Sequence, residues 1–287
     1  MENTLVCILA QTRAASLTWE NFNRNVLETL KADLALAVAK TTQTDDFRRR
    51  AKYVWEFPEV DDWGEAFDYA QSTIGATDNW RVLLKVKDQW LGGINDPLEG
   101  QPGSAAILLF FRWFLLHNLQ TAGMLPQYDR LVITRSDFFY LCPHPPLDLL
   151  QSDKIWIPNG EHYGGITDRH LIVNCQYAER ALSACNAILE RPNELLEEMR
   201  WRNNWNLEQY LDYHFRKTGI RHQCRFFPWI MYTIRDPAES SRWTMGRYNR
   251  AVNQIVKYPS ELDAAERWAR KYAVTHDWYM TGFGENA

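Results

Sequence analysis

The chain begins with the apolar run Leu-Val-Cys-Ile-Leu-Ala at residues 5–10, and Asp-Leu-Ala-Leu-Ala-Val follows at residues 33–38. Neither run shows the polar alternation of a half-exposed strand, which is typical of strands buried on both faces of a parallel sheet. The segment between them, residues 18–30, carries apolar side chains at helical spacing: Phe22, Val26, Leu27 and Leu30. A strand, a helix and a second strand in this order predict a parallel crossover and therefore an α/β sheet.

The rest of the chain extends this pattern. Residues 104–120 predict a helix that is apolar on nearly every side, which indicates burial against the sheet. Residues 128–134 predict a central strand and residues 155–158 a short one. From about Tyr177 onward the pattern is mainly helical, interrupted by a strand at Phe226. We therefore expect a Rossmann-like, mostly parallel sheet flanked by helices, with a mainly helical C-terminal part.

Composition limits the classes of function. With 287 residues, 46% of them apolar and 24% charged, the chain is long enough for one large domain, residues 1–287. The net charge of −4 offers no basic groove, so we expect no nucleic-acid partner. The 13 Trp, 13 Tyr and 13 Phe suit the stacking of sugar rings, and they equally suit an aromatic core.

The sequence also carries expectations about location. Five cysteines are scattered without a CxxC pair, which predicts reduced thiols in a cytosolic compartment. The N-terminus lacks the pattern of a signal peptide, and Arg112 interrupts the most apolar stretch, residues 105–116. We expect a soluble cytoplasmic protein without a transmembrane segment.

Three polar clusters follow predicted strands, where an open α/β sheet binds its ligands. Gln11, Thr12 and Arg13 come directly after the first strand. The turn contains neither G-x-G-x-x-G nor a Walker A lysine, so neither a dinucleotide-binding motif nor a P-loop is present. A polar, basic turn suits a nucleotide base or a diphosphate, although an ordinary solvated turn has the same residues. We take these three residues as candidates for donor binding.

The second cluster is Arg135, Ser136 and Asp137, at the end of the predicted central strand. A carboxylate here suits Mg²⁺ or Mn²⁺ bridging two phosphates, and an arginine would stabilise the charge on a departing diphosphate. The alternative is an Arg–Asp surface pair, which contributes little to stability. We take all three as donor-binding candidates and Asp137 as the candidate metal ligand.

A third cluster occupies a glycine-rich loop over residues 160–170. Its glycines would let the backbone approach a ligand closely, and its acidic and histidine side chains could take the proton of an acceptor hydroxyl. The alternative is a loop whose acidic and basic residues only cap local structure. The catalytic candidates are Asp168, Glu161 and His162. The candidates for acceptor binding are Tyr163, Gly164, Gly165 and Arg169.

These clusters, in this order, resemble GT-A-type glycosyltransferases of bacterial capsule and O-antigen loci, and those by which chloroviruses glycosylate their capsid protein. The similarity rests on residues 6–13, 19–22, 128–140 and 156–169. It covers roughly residues 4–175. In such enzymes residues 128–140 would carry the metal-binding DxD-type motif, and residues 156–169 the acceptor-side loop.

The resemblance implies a nucleotide-diphosphate sugar as donor, a UDP-sugar in the first place, with a divalent metal, Mn²⁺ or Mg²⁺. The acceptor would be an oligosaccharide or glycoprotein, and the enzyme a hexosyl- or pentosyltransferase, in the host cytoplasm if the source is viral. Residues 1–140 would form the nucleotide-sugar half and residues 141–287 the acceptor half. One departure stands out: Arg135 replaces the first aspartate of the triplet and leaves only Asp137.

Two other functions remain open from the sequence. A nucleotidyltransferase or nucleotide-sugar hydrolase could use a similar sheet, although residues 11–16 are not the basic glycine-rich loop that a nucleotidyltransferase would need. A non-catalytic carbohydrate-binding protein could use the many tryptophans, but it would not need Arg135 and Asp137.

Overall fold

The computed structural model describes residues 2–86, 88–95, 102–200, 202, 204–240 and 244–275. Its strands are β1 (Thr4–Ala10), β2 (Asp33–Ala39), β3 (Tyr53–Phe57), β4 (Arg130–Thr134), β5 (Phe138–Tyr140), β6 (Ile155–Asn159), β7 (Leu171–Asn174), β8 (Cys224–Pro228), β9 (Met231–Arg235), β10 (Arg247–Asn249) and β11 (Gln254–Val256). Its α-helices are α1 (Ala15–Phe22), α2 (Asp46–Arg50), α3 (Gly64–Ile74), α4 (Ala105–Thr121), α5 (Cys175–Leu182), α6 (Ala184–Glu190), α7 (Pro192–Met199), α8 (Leu207–Lys217) and α9 (Pro259–Thr275). A π-helix spans Asn23–Glu28, and short 3-10 helices include Trp80–Lys85 and Gln89–Leu91.

The main sheet has seven strands in the order β3-β2-β1-β4-β7-β6-β8. Strand β7 runs antiparallel to its neighbours β4 and β6, and the other pairs are parallel. The predicted α/β class with a mostly parallel sheet is therefore confirmed. The chain leaves β1 toward β3 on one side and then returns to place β4 on the other side of β1. Such a reversal marks the edge of an α/β sheet at which ligands bind.

A second sheet of four strands, in the order β10-β11-β9-β5, was not predicted. Its central strand β9 pairs antiparallel with β5, with Phe138 opposite Thr233 and Tyr140 opposite Met231. Three of its strands have only three residues, too few for a clear alternation of apolar and polar positions. Because β5 begins four residues after β4 ends, the second sheet lies next to the carboxyl end of the first.

Helix α4 packs on the main sheet, as its apolar sequence predicts, and several aromatic residues join it in the core. Phe110 is fully buried, and its ring lies 4.5 Å from that of Phe57 and 5.8 Å from that of Trp63. Trp80 and Trp90 are also buried. These tryptophans therefore belong to the core. Within the described ranges no helix is long and apolar enough to cross a membrane.

The first helix differs from its prediction. The spacing predicts one helix over residues 18–30, but α1 begins three residues earlier and continues as the π-helix. Thr18 lies inside α1 and its hydroxyl donates to the Ala14 carbonyl at 2.9 Å. The backbone N–H of Ala14 donates to the Glu239 carboxylate at 2.9 and 3.0 Å. A capping partner 225 residues away lies beyond the reach of local sequence rules.

Candidate functional site

A pocket lies at the carboxyl ends of β1 and β4, where the strand order reverses. We call it the inner pocket. It is lined by Leu9, Ala10, Gln11, Arg13, Ala39, Glu59, Trp63, Ser104, Ile107, Leu108, Phe111, Arg112, Ile133, Thr134, Arg135, Asp137, Asp168, Arg235 and Lys257. The pocket thus combines the two predicted turns with one face of α4 and with residues from the C-terminal part of the chain.

Asp137 is buried at the base of this pocket and is bound by two arginines. Arg135 donates through Nε and Nη2 to the two carboxylate oxygens, each at 2.8 Å. Arg235, at the end of β9, donates through Nη1 to Oδ2 of Asp137. Burial alone would raise the pKa of Asp137, but Arg135, Arg235 and Arg13 outweigh it and hold that pKa well below its usual range.

This geometry does not fit the predicted metal site. Both oxygens of Asp137 already accept charge-assisted hydrogen bonds, so a divalent cation would compete with two guanidinium groups for this carboxylate. Nowhere in the described part of the chain do three or more His, Cys, Asp or Glu side chains cluster as metal ligands would. Asp137 is therefore the counter-ion of two arginines in this structure, and its role as a metal ligand stays a prediction.

Cations outnumber carboxylates in the inner pocket. Five cationic side chains line it against the three carboxylates of Glu59, Asp137 and Asp168. Besides the two arginines on Asp137, the cations are Arg13, Arg112 and Lys257. Burial, followed by the nearby Arg135 and Arg235, lowers the pKa of Lys257 to about 7. An anion bound here would relieve this mutual repulsion of the cations.

The lining of the inner pocket also includes apolar residues. Trp63, Ile107 and Phe111 are among them, together with Leu9 and Ala39 at the ends of the first two strands. A flat heteroaromatic ring could pack on such a surface while an anionic group reaches the cations. The pocket therefore has the two chemical halves that a nucleotide requires.

A second pocket opens beside the first, and we call it the adjoining pocket. It is lined by Gln89, Gly103, Ser104, Ala105, Leu108, Arg135, Tyr163, Asp168, Arg169, Asn206, Leu207, Glu208, Lys257 and Tyr258. Arg135, Asp168 and Lys257 line both pockets. Burial and the neighbouring Asp168 raise the pKa of Glu208 to about 7. The adjoining pocket thus contains two carboxyl groups, those of Asp168 and Glu208.

Of the three catalytic candidates, the structure places one in the pockets and two outside them. Asp168 lines both pockets. Glu161 accepts a hydrogen bond from Ser260 at 3.2 Å, and the ring of His162 packs edge-on against Phe226 at 5.0 Å. Neither Glu161 nor His162 is among the residues that line the two pockets. Asp168 is the candidate that the geometry favours.

Of the four candidates for acceptor binding, two line the adjoining pocket and two do not. Tyr163 and Arg169 line the adjoining pocket. Arg169 is buried and bound to Glu261 of α9, which ties the loop to the C-terminal helix. Gly164 and Gly165 instead pack against α8, where a side chain on Gly165 would overlap the backbone of Glu208. The two glycines thus let the loop backbone approach α8 closely, and not a ligand.

Two of the donor candidates hold the turns in place instead of facing the pocket. Thr12 donates to Asp45 and accepts from Arg48 at 2.6 Å, on the side of α2. Ser136 is buried, and its hydroxyl lies 3.2 and 3.0 Å from the carbonyl oxygens of Gln11 and Arg13. Ser136 thereby fixes the turn after β1 against the turn after β4.

Sequence reasoning missed five charged residues of the two pockets: Glu59, Arg112, Glu208, Arg235 and Lys257. Arg112 gave a signal, since it interrupts an apolar helix, and its Nη2 donates to the Asp168 carbonyl at 2.8 Å. Arg235 ends the apolar strand β9 in the same way that Arg135 follows β4. Glu208 and Lys257 gave no comparable signal, because single charges near the ends of elements are common.

Gly165→Ala should lower the free energy of unfolding by about 3 kcal/mol or more, because the new methyl group overlaps backbone atoms that cannot rotate away. Gly75→Ala is the matched control. Gly75 has a φ of 73°, and nothing lies within 4 Å of the position that its new methyl group would take, so only the left-handed strain of about 1–2 kcal/mol applies. Urea unfolding of both variants measures the difference, and equal losses would contradict the close packing at Gly165.

Asp137→Asn should destabilise the fold by about 3–5 kcal/mol, because it leaves buried guanidinium charge without its counter-ion. Chemical denaturation at neutral pH measures this loss. Asp153→Asn is the control, since Asp153 pairs with Lys154 at an exposed position and should change stability little. A fully stable Asp137→Asn variant would show that Asp137 does not anchor the arginines.

Comparisons with known proteins do not identify the function of this site. No model of a known protein family matches the chain, and no protein of curated function matches it in sequence. Among solved structures, the chain is similar to mouse xyloside xylosyltransferase 1 in its apo form, with 10% sequence identity and a TM-score of 0.38. That likeness covers 79% of this chain and 86% of the other. The function must therefore be inferred from the two pockets themselves.

Proposed function

We propose that the protein is a glycosyltransferase that moves a sugar from a nucleoside-diphosphate donor to a hydroxyl group of an acceptor glycan. The observation that carries the proposal is the junction of the two pockets. A cationic pocket at the reversal point of the sheet meets a pocket with paired carboxyl groups, and Arg135, Asp168 and Lys257 line both. The GT-A assignment and a UDP-sugar as donor belong to the same proposal.

The inner pocket suits the donor. The base would pack on the apolar residues Trp63, Ile107 and Phe111, and the diphosphate would lie among the cations. Arg135 and Lys257 line the junction, so the bond between the diphosphate and the sugar would lie beside the adjoining pocket. Negative charge grows on the diphosphate as this bond breaks, and fixed positive charges stabilise it in a site shielded from water.

The adjoining pocket suits an acceptor sugar. Tyr163 and Tyr258 give it aromatic faces on which the C–H face of a sugar ring can stack. An acceptor bound there would present a hydroxyl group near Asp168. That hydroxyl oxygen would form a bond to the anomeric carbon while the bond from that carbon to the diphosphate oxygen breaks. The electron pair of the broken bond leaves with the diphosphate, and Asp168 takes the hydroxyl proton.

In this proposal the donor-binding residues are not confined to residues 1–140. Arg235 and Lys257, from the C-terminal part, join the turns after β1 and β4 in the inner pocket. Donor binding therefore draws on residues from both sides of that boundary, because β9 of the second sheet ends beside β4 of the first.

The proposal is tested by incubating the protein with a panel of nucleotide sugars and simple glycosides and following the products by mass spectrometry. If the protein transfers the sugar, the mass of the acceptor should increase by that of one sugar residue. Release of free sugar alone would identify a nucleotide-sugar hydrolase. Binding of glycans without any affinity for nucleotides would identify a carbohydrate-binding protein and contradict the proposal.

Asp168→Asn should lower kcat by about 10²–10⁴-fold, since an amide cannot take the proton of the acceptor hydroxyl. Nucleotide affinity and melting temperature should stay unchanged, because the Asp168 backbone carbonyl that accepts from Arg112 is retained. Glu161→Gln is the matched control and should keep its activity, since Glu161 lines neither pocket. The reverse result, with Glu161 essential and Asp168 dispensable, would place the base elsewhere in the loop.

The pH dependence of kcat should show an acid limb near pH 7. The pKa of Glu208 is raised to about 7 by burial and by Asp168, against the opposing effect of Arg169 and Lys257. Once Glu208 loses its proton, its negative charge stabilises the proton that Asp168 takes from the acceptor hydroxyl, so kcat rises as pH rises through this value. Measurement at saturating donor keeps Lys257 protonated beside the diphosphate.

Glu208→Gln removes the like charge beside Asp168 and should move the acid limb of kcat to lower pH. Melting temperatures over the same pH range separate this effect from unfolding. An acid limb that stays at the same pH in Glu208→Gln would assign it to another group.

A further inference from the structure

We propose that the inner pocket binds the diphosphate with its own cations and needs no divalent metal. The inference rests on the proposed function insofar as the diphosphate belongs to a sugar donor. It assigns Arg112, Arg235 and Lys257 to diphosphate binding together with Arg13 and Arg135. It also gives Asp137 the role of holding arginines in position.

The charge balance of the pocket matches such a ligand. With Lys257 protonated, five cationic side chains against three carboxylates leave an excess of two positive charges. The diphosphate of a nucleotide sugar is a diester that carries two negative charges, one on each phosphate. A divalent cation added to this pocket would increase an excess of positive charge that is already present.

Two buried guanidinium groups in the pocket lack part of their hydrogen bonding. Nη1 of Arg112 and Nε of Arg235 are buried and have no hydrogen-bond partner among the described residues. The two side chains are only 2% and 3% exposed, and both line the inner pocket. Buried polar groups normally find partners, so an oxygen-rich anion is the kind of ligand that these N–H groups are placed to bind.

The Arg-Ser-Asp turn positions the cations. Asp137 binds Arg135 with two hydrogen bonds and also binds Arg235 from the second sheet. Ser136 donates to the carbonyl of Arg13 at 3.0 Å, which fixes the turn that carries the Arg13 side chain. Arginines from three separate strand ends are thereby held around one pocket before any ligand arrives. Such preorganisation lowers the cost of binding an anion.

Lys257 supplies a cation that no carboxylate of the described residues neutralises directly. Its ammonium group lies 4.5 Å from the centre of the Tyr258 ring. Over the ranges that the structure describes, Lys257 forms no ion pair, whereas Arg135 and Arg235 share Asp137. Lys257 lines both pockets, at the junction where the leaving diphosphate would develop its charge. It is the residue whose removal tests the proposal without breaking an ion pair.

The test is calorimetric titration with inorganic pyrophosphate in excess EDTA, and with UDP both in EDTA and in Mn²⁺. Both ligands should bind in EDTA, and Mn²⁺ should change the dissociation constant of UDP by no more than about threefold. Lys257→Met keeps the length of the side chain and removes its charge, so it should weaken pyrophosphate binding by about tenfold or more. Binding that requires Mn²⁺, or undiminished binding by Lys257→Met, would overturn the proposal.

Lys217→Met is the matched control. Lys217 also lies over a tyrosine ring, Tyr213, at 5.7 Å, but on α8 outside both pockets. It should bind pyrophosphate like the unmodified protein, and the melting temperatures of the two variants should agree. A loss of affinity in Lys217→Met equal to that in Lys257→Met would show a general charge effect and contradict the site.

The same experiments separate this proposal from the proposed function. Pyrophosphate binding in EDTA without transfer from any nucleotide sugar would support the metal-free anion site and contradict glycosyl transfer. Transfer that depends on Mn²⁺ would support glycosyl transfer and contradict the metal-free site.

Discussion

The carboxylate of Asp137 lies where the two sheets meet, and the arrangement of both pockets depends on it. Its side chain binds Arg135 from the turn after β4 and Arg235 from the end of β9. Its backbone carbonyl also accepts a hydrogen bond from Ile234 at 2.9 Å. A buried carboxylate is unfavourable without partners, so the fold must keep both guanidinium groups beside it. This requirement fixes the second sheet against the carboxyl edge of the first.

One consequence is chemical. A carboxylate that serves as counter-ion to two arginines would have to share its oxygens with a metal ion, and the pocket around it has more cationic side chains than carboxylates. Phosphate oxygens can then be bound by guanidinium and ammonium groups, which provide both charge and directed hydrogen bonds. Arg135 of the Arg-Ser-Asp triplet thus contributes a cation to the pocket, and Asp137 of the same triplet holds it in position.

A second buried ion pair lies beside the adjoining pocket. Arg169 binds Glu261 of α9, and the other carboxylate oxygen of Glu261 accepts from the backbone and hydroxyl of Thr233 at 3.0 and 2.9 Å. The loop that carries Asp168 is thereby tied to β9 and to the C-terminal helix. Gly165 packs the same loop against the start of α8, which brings Glu208 into the adjoining pocket. Both pockets therefore depend on the C-terminal part of the chain.

By itself, the sequence determined the parallel core and the position of its binding edge. Apolar runs, helical spacing and polar turns are local patterns, and they follow from backbone hydrogen bonding and from burial within each element. They located β1, β2, β4 and α4, and they indicated the turns that carry Arg13 and Arg135. Only the tertiary structure decided which charged side chains form ion pairs with each other. Asp137 and Arg235 are 98 residues apart, and no local pattern distinguishes a carboxylate that faces a ligand from one that holds an arginine. That choice depends on the desolvation and pairing of charges between elements, which arise only when the two sheets pack together.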